Sequence, residues 1–124
     1  MMDVLEIIAS AMNDAGLSYA FGEWAGEPAD PYWVGEYTES PATDESGLQE
    51  ATFMLTGTTR GTWTRLEEQR NLIEKAFPPV GGVHHITREG GVAVFYATAM
   101  PVPTDVAELK RMQVNLDIRK WKVM

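Results

Sequence analysis

The stretch VHHITREGGVAVFYATAM, residues 83–100, predicts a β-hairpin that decides the fold. Val83–Thr87 and Val92–Met100 are rich in β-branched and aromatic residues, which favour strands. The sequence Arg88-Glu89-Gly90-Gly91 between them is typical of a turn. We therefore expect the C-terminal part of the chain to form neighbouring antiparallel strands.

A closing strand is predicted over Arg111–Met124, after Pro101-Val102-Pro103 and a loop or single helical turn at Thr104–Lys110. Apolar residues alternate there with polar ones, which indicates one buried and one solvent-facing side. The apolar set is Met112, Val114, Leu116 and Ile118.

Two helices are predicted, over residues 3–15 and 63–77. The first begins at the capping residue Asp3 and ends at Gly16. In the second, Thr64 and Glu67 have the spacing of a capping box, and Pro78-Pro79 ends the helix. The side chains that we expect these helices to bury are Leu5, Ile8, Met12, Leu66, Ile73 and Phe77.

Three extended segments lie between the helices, at Leu17–Trp24, Tyr32–Thr38 and Gln49–Thr58. Ser40–Gln49 is polar and acidic, and we expect it to be mobile in the free protein because it has few apolar residues to offset its ordering entropy. The element order α-β-β-β-α-β-β-β predicts a single α+β domain over residues 1–124, with a mainly antiparallel sheet and two helices packed on one face.

Composition excludes several function classes. The chain of 124 residues has no cysteine, which excludes disulfides and thiol catalysis and fits a reducing cytoplasm. Its formal charge of −8 disfavours tight binding to phosphate backbones. A ring or channel past which DNA slides without sticking would tolerate this charge, and so would any ordinary soluble acidic protein. No apolar run is long enough for a membrane span, so we expect no membrane association.

Few residues suggest reaction chemistry. His84 and His85 are adjacent on a strand, so their rings point to opposite faces and cannot share one metal ion without a bulge. Gly57–Thr62 lacks the lysine and the glycine spacing of a phosphate loop. We expect no enzyme activity, no metal and no cofactor.

Charged and aromatic residues suggest an interaction surface. Half of the ten basic residues lie between positions 110 and 122, and an acidic segment precedes the third strand, so head-to-tail pairing between copies is plausible. A solvated edge strand protected by lysines is an equally good interpretation of the basic run. Each of the four tryptophans suits a core or an interface equally well, although Trp121 shares the polar side of its strand. The candidate interface residues are Asp44, Glu45, Glu50, Lys110, Arg111, Arg119, Trp121 and Lys122.

The layout resembles the small tail-completion or tail-terminator proteins of long-tailed bacteriophages and prophages. The resemblance covers nearly the whole chain and rests on the first helix, the strand pair with its acidic loop, and the helix Trp63–Phe77. Its most telling parts are Met100–Thr104 and Leu109–Trp121.

The resemblance implies a subunit made in the host cytoplasm that forms a ring, commonly of six, at the neck of the virion, where head meets tail. It implies contacts with tail-tube and head-connector proteins, DNA passing through the lumen, and neither enzyme activity nor cofactor. The alternative is a small acidic binding or inhibitor protein that mimics nucleic acid. A regular row of surface carboxylates would favour the mimic.

Overall fold

Two helices and six strands follow one another in the predicted order in a computed structural model, which describes residues 4–24, 26, 27, 29–39 and 48–122. The elements are α1 (Val4–Asp14), β1 (Tyr19–Phe21), β2 (Tyr32–Glu39), β3 (Gln49–Thr59), α2 (Trp63–Ala76), β4 (Val83–Thr87), β5 (Gly90–Val102) and β6 (Lys110–Lys122). The α+β class is therefore confirmed. The predicted mobility of Ser40–Gln49 concerns a segment that lies largely outside the described residues.

All six strands form one sheet in the order β1-β2-β3-β6-β5-β4. Only β1 and β2 run parallel, and the other neighbours are antiparallel. The closing strand β6 lies between β3 and β5, so its interpretation as an edge strand protected by lysines is wrong. Strand order depends on pairing between distant segments, which the alternation within β6 does not encode.

The core lies between the helices and one face of the sheet. β6 contributes its whole predicted apolar set, and it packs beside Phe53 and Leu55 of β3. Five of the six helix residues expected in the core are buried, but Leu5 is only partly buried because α1 turns Val4 and Ile7 inward beside Ile8 and Met12. Both helices are thus amphipathic and pack with their apolar sides against one face of the sheet.

The second helix is fixed at its start and along its side. Thr62 is the N-cap, and its hydroxyl accepts a hydrogen bond from the Arg65 backbone N–H at 3.3 Å, so the capping box predicted at Thr64 is wrong. Along the helix, Gln69 accepts a bond from Trp33 Nε1 at 2.8 Å, and Arg70 donates to the Tyr96 hydroxyl at 3.0 Å. These bonds attach α2 to β2 and β5.

Candidate functional site

The face of the sheet opposite the helices, called the open face below, has no helix against it among the described residues. A ladder of neutral polar groups crosses its centre. Gln113 donates to the Asn115 side-chain oxygen at 3.1 Å, and Asn115 donates to the Thr98 hydroxyl at 3.0 Å. These groups remain half-exposed or exposed, so this part of the face is polar rather than a second core.

A cluster of aromatic side chains lies on the open face at its β4–β5 end. The Arg119 guanidinium lies 5.7 Å from the centre of the Phe95 ring, and the His84 ring meets Phe95 edge-on at 6.1 Å. The Trp121 ring packs on β5 and leaves no room for a Cβ at Gly91. The sheet register confirms the predicted position of Trp121 on the polar side of β6. Its ring is half-buried, and it shields the backbone of the uncovered sheet.

The predicted interface residues do not converge on one site. Lys110 and Arg111 begin β6, whereas Arg119, Trp121 and Lys122 end it. Arg111 and Arg119 are eight positions apart, which is roughly 27 Å along the strand. Lys110 Nζ donates to the Ala107 carbonyl of its own loop at 2.5 Å. Asp44 and Glu45 lie outside the described residues. The basic residues are close together in the sequence, but they lie at opposite ends of β6 because the strand is extended.

Two candidate charges already face opposite charges within the chain. Glu50 of β3 lies directly across from Arg119 of β6 in the sheet register. Lys120, which neighbours Arg119, forms an ion pair with Glu39 at 3.1 Å, and Glu39 also accepts a hydrogen bond from the Tyr37 hydroxyl. The bond from Tyr37, followed by Lys120, lowers the pKa of the Glu39 carboxyl below its usual value. Part of the acidic and basic pairing expected between copies is therefore internal.

The two histidines lie on opposite faces, as their spacing predicts. His84 is exposed on the open face, where its ring contacts the Gly81 carbonyl, and His85 is half-buried on the core side. No group of three or more potential metal ligands occurs in the described part of the chain. A cleft of about 290 Å³ lies between the start of α1 and the Glu39–Lys120 pair, and it is lined mainly by apolar side chains.

Asp30 anchors the loop between β1 and β2. Its carboxylate accepts hydrogen bonds from the Thr59 hydroxyl at 2.5 Å and from the Arg60 N–H at 3.0 Å. The Thr59 bond is the main reason that the pKa of Asp30 is lowered, and it outweighs partial burial, which acts in the opposite direction. The loop is therefore tied to the end of β3 by a charged acceptor.

We expect Asp30→Asn to destabilise the protein more at pH 7 than near pH 2. A carboxyl whose pKa is lower in the folded state stabilises the fold above its unfolded pKa of about 3.9, and this contribution is lost as the pH falls through the folded value. Urea midpoints at several pH values measure the difference from wild type. Glu27→Gln in the same loop is the matched control, and an equal deficit for Asp30→Asn at both pH values would contradict the expectation.

Charge is divided across the sheet. Residues 1–59 contain eleven of the 18 acidic residues and no Lys, Arg or His, whereas residues 60–124 contain all ten Lys and Arg with the other seven acids. β1, β2 and β3 form one half of the sheet and β6, β5 and β4 the other, so the charges of the strands are divided in space: the first half carries Glu36, Glu39 and Glu50 without a basic residue, and the second carries five basic residues and one acid, all on β6. The formal charge is −11 on the first part and +3 on the second.

Comparison with known proteins shows where this fold occurs. No protein-family model matches the chain, and comparison with curated proteins gives no match. Among solved structures, a chain from the virion of a native gene transfer agent particle is similar with a TM-score of 0.67 and 15% identity, over 91% of this chain and 85% of that one. A second solved protein, whose name describes no function, is similar with a TM-score of 0.66 and 14% identity over 99% of both chains. These likenesses show a common fold.

No helix of the described residues combines the length and the apolar character needed to cross a membrane.

Proposed function

We propose that this chain is a structural protein of a phage or prophage virion, which completes or caps the tail and joins it to the head. The observation that carries the proposal is the fold shared with a chain of the gene transfer agent virion over 91% of this chain. The pattern resemblance to tail-completion proteins supports the same kind of role from the sequence. A virion component acts through its surfaces, and the polar and aromatic open face suits such contacts.

In the proposed role, copies of the chain form a ring, commonly of six, at the neck of the virion. The ring contacts tail-tube and head-connector proteins, needs no cofactor and catalyses no reaction. The excess of eight negative charges per subunit supports a lumen that repels the DNA backbone, so that DNA passes without being held.

Deletion of the coding gene from its native genome tests the role, with electron microscopy of the released particles. We expect filled heads without tails together with tails of uncontrolled length, and we expect a plasmid copy to restore normal particles. Infectious particles of normal shape after deletion would overturn the proposal. Such particles, together with tight binding of the purified chain to a nucleic-acid-binding host protein, would instead support the acidic inhibitor.

A further inference from the structure

We draw no further inference here: the strongest candidate, the surface patch that His84, Phe95 and Trp121 form with Arg119 at the β4–β5 end of the open face, carries no proposal because nothing in the described part of the chain shows what covers it.

Discussion

Trp33→Ala is expected to lower the free energy of unfolding by about 3–5 kcal/mol, the range for truncating a buried aromatic side chain. Trp33 is fully buried in β2, and its ring packs on β3 where a Cβ at Gly57 would lie 2.6 Å from it. Its Nε1–H also donates to Gln69 of α2, so the variant leaves both a cavity and an unpaired amide oxygen. Urea unfolding followed by circular dichroism measures the loss.

Two further variants separate the contributions to this loss. Trp63→Ala is the matched control, because Trp63 is 42% exposed at the start of α2 and its removal should cost less than about 1 kcal/mol. Gln69→Leu keeps the indole and removes only its acceptor. A loss below about 1 kcal/mol for Trp33→Ala would mean that the ring is not part of the core.

Ile73→Ala should have the next largest effect, a loss of about 2–4 kcal/mol. Ile73 is fully buried in the helix face that packs on the sheet, whereas its neighbour Leu72 is 39% exposed. Leu72→Ala should therefore stay within about 0.5 kcal/mol of wild type, because it removes little buried surface. Both variants end in alanine, so helix propensity has little influence on the comparison. Equal losses in urea unfolding would show that the helix face is misassigned.

Local patterns in the sequence predicted most of the elements. The helix expected over 63–77 spans Trp63–Ala76, and the first strand of the hairpin has the predicted bounds, Val83–Thr87. Strict alternation in the closing run identified every buried residue of β6 between Met112 and Ile118. These features depend on periodicity within one segment, which the sequence displays directly.

The remaining features depend on which segments meet. Nothing in the alternation of β6 indicates that it lies between β3 and β5, or that Glu39 reaches Lys120 across 81 positions. The burial of Trp33 and the exposure of Trp63 likewise follow from the position of α2, although Trp33 is the second residue of β2 and Trp63 is the first residue of α2. Which strands lie at the edges of the sheet also could not be named without the strand order. The charge division was visible, since the first basic residue is Arg60, but its place in space was not.

The junction between β3 and β6 has a consequence for how the chain reaches this structure. It joins the two halves of the sheet, and its register pairs Thr59 with Lys110, 51 positions along, and Gln49 with Lys120, 71 positions along. Such contacts close a long loop before they contribute stability, which places folding in the millisecond-to-second range typical of non-local β topologies. Until that junction forms, the side of β3 that pairs with β6 in the finished sheet is an open edge beside Phe53 and Leu55, so the partly folded chain is the species most exposed to aggregation.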